Sequence, residues 1–437
     1  MHIPDGYLSP VFSLGAGLAT VPVWGVAVNK VQKVLNNRTV PLLAIFSAFS
    51  FTIMMFNIPV PGGTTAHAVG GTMIAIVLGP WAAVIGVSIA LIIQALFFGD
   101  GGVLAIFANC LNMGIILPFV GYFSYKLIAG RAALLSTRRV WAAGIGSYLG
   151  ITMSALAVGI ELGLQPLLFH TANGQALYSP YALNVAVPTM LLSHSLGASI
   201  VEALVTAMGI GYIQKNYPGY LSSLRSVVSG EALEVGEPQR IPTWQFMLLG
   251  GLTAIALLFI TGLLTGKGQV SHLFGADWNL VDWSAVGMML LIIAGIALVL
   301  IPLAWYLLPR NIRRAGTFLV TFAILAPLGL IAPGFAFGEG SATDVKQAFG
   351  YIPQGLKQFS TLWSAPFGGY NLNAPFFTDP GAPLWRQAIG YEMSGIIGIL
   401  LIGALLLISL TLLRRSRQSS ISSSQSVEQR RGSKASW

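Results

Sequence analysis

The chain has 437 residues, 55% of them hydrophobic and 8% charged, with a net charge of +9. A soluble domain carries about 25% charged residues, so the composition excludes a soluble globular protein and indicates a multi-span membrane protein. The positive balance does not indicate nucleic acid, because Lys and Arg collect in short loops and in the tail, as membrane topology requires.

The first residues, Met1-His2-Ile3-Pro4-Asp5-Gly6-Tyr7-Leu8-Ser9-Pro10, lack the basic and apolar regions of a signal peptide. Met1 offers an α-amine, the Met1–His2 peptide an amide nitrogen, and His2 an imidazole. These three nitrogens can close adjacent chelate rings around one divalent ion, and a planar nitrogen set suits Ni²⁺ or Cu²⁺. Histidine ligands must be unprotonated, so binding is expected to weaken near pH 6.

A spanning helix needs about 20 mostly apolar residues. The first spans are Tyr7–Val28 and Thr39–Ile58, separated by a basic loop. A turn-rich stretch through His67 follows, then the short apolar piece Ala66–Gly79. Trp81–Phe98, Val103–Ile128, Val140–Leu164 and Tyr181–Ile213 complete seven helices. Residues 214–241 are polar and mixed in charge and are expected to link two membrane modules on the cytoplasmic side. The second module, 242–413, is expected to hold Thr243–Leu264, Ser284–Leu308, Gly316–Pro333 and Gln387–Leu413. Its external loop, 334–386, is rich in aromatics and prolines and is expected to be ordered. The Ser-, Gln- and Arg-rich tail, 414–437, is expected to be disordered, basic and cytoplasmic. Cys110 is the single cysteine and excludes an internal disulfide. Thr261–Gly268 ends in Gly-Lys but lacks the first Gly and the final Ser/Thr of a P-loop, so no ATPase is expected in this chain.

If Ala66–Gly79 crosses, only Lys267, Lys346, Lys357 and Arg386 of the 23 basic residues lie outside. The positive-inside rule then favours eleven spans, an external N-terminus and a cytoplasmic C-terminus. Met1, His2 and His67 would share the external face.

The motif Met1-His2-Ile3-Pro4-Asp5-Gly6-Tyr7-Leu8 resembles the start of the cobalt/nickel substrate-binding components of energy-coupling-factor transporters, the CbiM/NikM type. The resemblance continues through Pro61-Gly62-Gly63-Thr64-Thr65-Ala66-His67, Phe98-Gly99-Asp100-Gly101-Gly102, Ala108-Asn109, Asn112-Met113-Gly114, His194 and Glu202, and covers residues 1–213. It implies an all-α polytopic membrane protein with a seven-helix metal-binding bundle. It also implies metal ligands at Met1, His2 and His67, including the intervening amide nitrogen. The implied function is capture of Co²⁺ or Ni²⁺ as transported cargo, with no prosthetic group. A transmembrane coupling subunit and two ABC-type ATPases in a prokaryotic cell membrane would drive uptake, by tilting of the whole component. Ala326–Gly334 through Glu339 resembles the loop entrance of the small CbiN/NikN-type partner, here fused, and residues 334–386 are expected to pack near Met1–His67.

Other polar residues carry two readings each. Asp5 either neutralises the site or caps Tyr7–Val28. Thr64 and Thr65 position the His67 loop or, as favoured here, cap the next helix. Asn109, Asn112, His194 and Glu202 lie in apolar spans and serve either as interhelical glue or as support for the ligands. Glu202 and Glu392 are expected to touch a coupling partner or each other. The alternative function is a stand-alone secondary divalent-metal transporter, which calls for inverted repeats and midplane charges that the sequence does not display. An intramembrane metalloenzyme would need an open site with a general base, and no such pair is present.

Overall fold

The computed structural model describes residues 1–34, 39–60, 64–218, 283–308, 313–331, 335–378 and 382–432. The expected span Thr243–Leu264, the P-loop-like stretch 261–268, His272, most of the 214–241 linker and Pro61-Gly62-Gly63 lie outside these residues.

Helix α1 (Pro10–Val34) begins where a proline suits the first turn, and the Ser9 hydroxyl caps it by accepting the Phe12 N–H at 3.1 Å. This corrects the expected start at Tyr7 with Asp5 as the cap. Val11, Leu14, Leu18 and Val21 form an exposed apolar stripe at helical spacing, the lipid-facing side of a span. α2 (Thr39–Met54) follows, then a small antiparallel hairpin of β1 (Ile58–Val60) and β2 (Thr64–Ala66). α3 is only Gly71–Leu78, and α4 (Pro80–Phe98) returns beside it. α5 (Ile106–Ala129), α6 (Thr137–Leu168) and α7 (Leu183–Asn216) close the first bundle.

At about 1.5 Å per residue, α3 is about 12 Å long, too short to cross alone. Residues 67–70 precede it as buried, non-helical backbone. Such backbone survives at membrane depth only when its polar groups are satisfied. Here the Glu202 carboxylate accepts the Val69 N–H at 2.7 Å and the Gly70 N–H at 2.9 Å. Ser50 donates to the Val69 carbonyl at 2.7 Å. Through this lead-in, His67 reaches the Phe98 end of α4 while Gly79 turns at the Pro80 end.

The second module contributes α8 (Trp283–Leu307), α9 (Arg313–Leu325) and α12 (Leu384–Gly432), whose apolar span is Leu384–Leu406. α12 is helical through the stretch where the sequence predicts a disordered tail; that stretch contains no proline and is rich in helix-tolerant Arg, Gln and Ser. α9 and α12 both pack on α2. Phe49 meets Phe318 and Phe322 with ring centroids 6.1 and 5.7 Å apart, and Tyr391 donates to the Met55 carbonyl. Seven described helices are long and apolar enough to span, and Val40–Met54 and Gly316–Ile331 are shorter apolar helices. The molecule is an all-α polytopic membrane protein.

The loop between α9 and α12 is ordered over residues 335–378. It holds the short helices α10 (Ala342–Phe349), started by a Ser341–Asp344 capping box, and α11 (Gln354–Phe359). Backbone bonds stitch it to the first bundle: Gly355 N–H to Leu177 O at 2.7 Å and Phe367 N–H to Phe97 O at 2.8 Å. The Trp363 indole N–H adds a bond to Leu96 O at 2.8 Å.

Candidate metal centre

The N-terminus is folded inward as an extended segment. Ile3 is held at both ends of its peptide unit: its N–H donates to Asn109 Oδ1 at 2.8 Å, and its carbonyl accepts from Asn109 Nδ2 at 3.2 Å and from Gly102 N–H at 2.8 Å. The close approach needs glycines. A Cβ at Gly101 would stand 2.9 Å from Asn109 Nδ2, and one at Gly102 would overlap the Asp5 carboxylate and backbone nitrogen. Asp5 accepts the N–H groups of Val103 and Leu104 at 3.0 and 2.8 Å, so it anchors the turn before α5. It does not cap α1, a correction to that sequence reading.

Pinned in this way, Met1 and His2 are 1% and 3% exposed. His67, 2% exposed, comes to meet them from the end of β2. The Met1 amine lies 3.4 Å from His67 Nε2, and His67 Nε2 lies 3.1 Å from His2 Nδ1. The outer face of each ring fixes its proton. His67 Nδ1–H donates to the Ala68 carbonyl at 3.2 Å. His2 Nε2 faces Gln94 Oε1 at 3.2 Å, and Gln94 is oriented because its amide group donates to Tyr370 OH at 2.8 Å and to Asp100 at 3.5 Å. This orientation assigns the donor role to His2 Nε2 and leaves Nδ1 as the ligand nitrogen. In that tautomer His2 Nδ1 faces both His67 Nε2 and Asp100 Oδ1 at 3.1 Å beside the amine, a cluster of lone pairs that a shared cation would relieve. Outer hydrogen bonds of this kind fix metal-ligating histidines.

Carboxylates flank the nitrogens. Asp100 Oδ1 is 3.1 Å from His2 Nδ1, and its other oxygen accepts from the Tyr370 hydroxyl. Glu339 Oε1 is 3.2 Å from the Met1 amine. The ligand atoms of His2, His67 and Glu339 lie within 4.8 Å of one another. The set, three nitrogens plus hard oxygens, suits a late first-row divalent ion.

Burial, reinforced by the nearby N-terminal charge, lowers the His2 pKa to about 4. The sign follows from linkage: the unfolded chain binds this proton first, so burying a neutral His2 costs stability as pH falls from about 6.5 to about 4 and costs nothing above that window. In metal-free protein the His2 ring nitrogens, followed by ¹⁵N NMR, are expected to titrate near pH 4. A midpoint at 6.5 would show a solvated ring.

Residues 2–220 match the family model described as "Cobalt uptake substrate-specific transmembrane region", CbiM. The chain belongs to the CbiM family. Over 92% of its length it is 37% identical to the fused nickel transport protein NikMN of Rhodobacter capsulatus, covering 95% of that protein. It is 49% identical over 50% of its length to the probable fused nickel transport protein LarMN of Lactiplantibacillus plantarum, covering 66% of that protein. A crystal structure of a truncated transition metal transporter is 56% identical, covers 49% of this chain and 98% of its own, and superposes with a TM-score of 0.47. The relatives are metal-transport proteins, and the second module of this CbiM-family chain is the NikN-like part of the fused form.

Within the CbiM-type bundle the sequence candidates divide. Met1, His2 and His67 converge. Asn109 holds Ile3, and Glu202 holds the 69–70 backbone that follows His67. Thr64 and Thr65 do not cap α3, whose N-cap is Gly70; they sit in β2, where the Thr64 hydroxyl donates to Phe335 O and Thr65 bridges to Ala336. Asn112 bonds Glu161 instead, and His194 Nδ1 is held by Met190 O at 2.9 Å within its own helix. Sequence reasoning missed Gln94 and Tyr370, and it quoted Asp100 and Glu339 only as parts of motifs. Gln94, a polar residue at the end of an apolar run, was the available signal.

Proposed function

We propose that this chain is the substrate-specificity component of an ATP-driven uptake system for Ni²⁺ or Co²⁺. The ion is the cargo, held by the Met1 amine, His2 Nδ1 and His67 Nε2, with the Met1–His2 amide nitrogen closing the chelate. The observation that carries this reading is the inward convergence of two bare imidazole nitrogens on a buried α-amine. With the ring protons assigned to the outer acceptors, Gln94 and the Ala68 carbonyl, the inner nitrogens are left to a cation. In this reading residues 1–213 form the metal-binding module, with the N-terminus at the external face and the C-terminus in the cytoplasm of a prokaryotic cell. Residues 242–413 act as the appended partner, and the chain itself is no enzyme. Separate ABC-type ATPases and a transmembrane coupling subunit supply the energy, as the relatives named as transport proteins encourage.

The test is metal analysis of the purified full chain loaded with Ni²⁺ or Co²⁺, beside His67→Ala. Stoichiometric metal is expected in the first, and affinity at least about 100-fold lower in the second, since even outer-shell losses cost about 10–100-fold. Equal metal content in both would defeat the reading.

A further inference from the structure

Resting on that reading, we propose that the fused loop contributes a metal ligand of its own: Glu339 Oε1 joins the N-terminal nitrogens as an oxygen donor when the loop is seated. The loop then acts as a chelating latch and not only as a cover.

Placement is the first argument. Glu339 ends a tight turn, Glu339 N–H to Ala336 O at 2.9 Å, that is tied to both ligand-bearing segments. On one side Thr65 bridges to Ala336 and Thr64 donates to Phe335 O at 3.0 Å, fixing the turn to the strand that leads to His67. On the other side the Tyr7 hydroxyl donates to Gly340 O at 2.7 Å, fixing it to the segment that begins with Met1 and His2. The carboxylate is thus registered against both ligand segments at once.

Distance is the second argument. With metal–nitrogen bonds of about 2.0–2.1 Å, neighbouring ligands at right angles stand about 3 Å apart. The contacts from Glu339 Oε1 to the Met1 amine (3.2 Å), from the amine to His67 Nε2 (3.4 Å) and from His67 Nε2 to His2 Nδ1 (3.1 Å) form an unbroken series of such edges.

Charge is the third. In the metal-free state Glu339 pairs with the ammonium form of Met1, the side-chain partner it has among the described residues. Metal binding removes that proton and puts a dication in almost the same place. The carboxylate, with its side chain 21% exposed, exchanges one cation for another without having to move away. Asp100 differs in belonging to the first bundle: its Oδ1 lies 3.1 Å from His2 Nδ1 whether or not the loop is seated, while Tyr370 donates to its second oxygen.

The experiment is Ni K-edge X-ray absorption on the full chain loaded with Ni²⁺ in detergent, compared with Glu339→Gln and Glu339→Asp, together with the rate of Ni²⁺ release to EDTA. Gln keeps the size and an acceptor for the amine but is a far poorer ligand. The unmutated chain is expected to show oxygen in its first shell and a coordination number above four. Glu339→Gln should lose that oxygen and show the edge feature of a planar four-coordinate ion. Its release should be about 10- to 100-fold faster, with Glu339→Asp in between. A first shell unchanged by Glu339→Gln overturns the proposal while leaving the N-terminal chelate intact. Absence of Ni²⁺ from the unmutated chain overturns both.

Discussion

One residue added ahead of Met1 is expected to weaken metal binding by about two orders of magnitude. The addition turns the α-amine into an amide, whose nitrogen binds only after giving up its own proton, and carries the new amine away from the buried position that Met1 holds beside His67 and Glu339. If a metal site of this type is worth about 10–16 kcal/mol over four ligands, one ligand is worth about 3 kcal/mol, a loss of about two orders of magnitude in affinity. Packing adds to this. Met1 is 1% exposed, and its amine is enclosed by His67 and Glu339, so an extra residue must push the 335–341 turn aside. The same addition at the C-terminus is expected to change nothing. Isothermal titration with Ni²⁺ on the two extended chains makes the comparison, and equal affinity would sink the amine as a ligand. Faster proteolysis of the 335–378 loop in the N-terminally extended chain is the companion readout of its displacement.

What the sequence made legible, and what it hid, follows from the range of the interactions. The seven long apolar helices were readable because apolar composition is a local property. The three nitrogens at the N-terminus were readable because their chelate rings are covalent. Charge parity brought His67 to the same face, and the 3.1 Å contact with His2 shows the two together. Asp5 was misread because capping was judged from its neighbours along the chain. Its partners, Val103 and Leu104, are brought near by the Gly101-Gly102 approach. Thr64 and Thr65 were misread for a related reason. A Thr pair before an apolar helix reads as a cap, yet the extended lead-in at 67–70 separates them from α3 and leaves them to pair as strand. Gln94 was hidden by its surroundings. It opens a π-helical turn, Gln94–Phe98, and similar turns begin at Cys110 and His194. Each widens an apolar helix at a polar stretch, a deviation that hydrophobic periodicity does not report and that recurs at functional sites. Glu339 stands 338 residues from the amine that it meets.

Glu202→Leu is expected to damage the protein more than any other single change in the first bundle outside the metal ligands. The Glu202 carboxylate is wholly buried and accepts from two backbone N–H groups, Val69 at 2.7 Å and Gly70 at 3.1 and 2.9 Å. Those groups belong to the one stretch of non-helical backbone that carries His67 into the bundle, and no helix can satisfy them. Leaving each unpaired costs about 1–3 kcal/mol, so Leu at this position costs about 2–6 kcal/mol. That is a large share of a typical folding free energy of about 5–15 kcal/mol. The damage also reaches the site, because only Ala68 separates Val69 from His67, and a loop released there no longer fixes Nε2 against His2. Glu202→Gln separates the effects. Its carbonyl oxygen can take the place of Oε2, which serves both N–H groups, so most of the anchoring survives. Thermal unfolding of the purified chains should rank Glu202→Gln close to the parent and Glu202→Leu far below. Ni²⁺ affinity should follow the same order, because loop position links the carboxylate to the metal. A Leu variant that unfolds at the parent's temperature and binds Ni²⁺ as the parent does would show that the 67–70 lead-in holds itself, with water or another group serving its N–H donors.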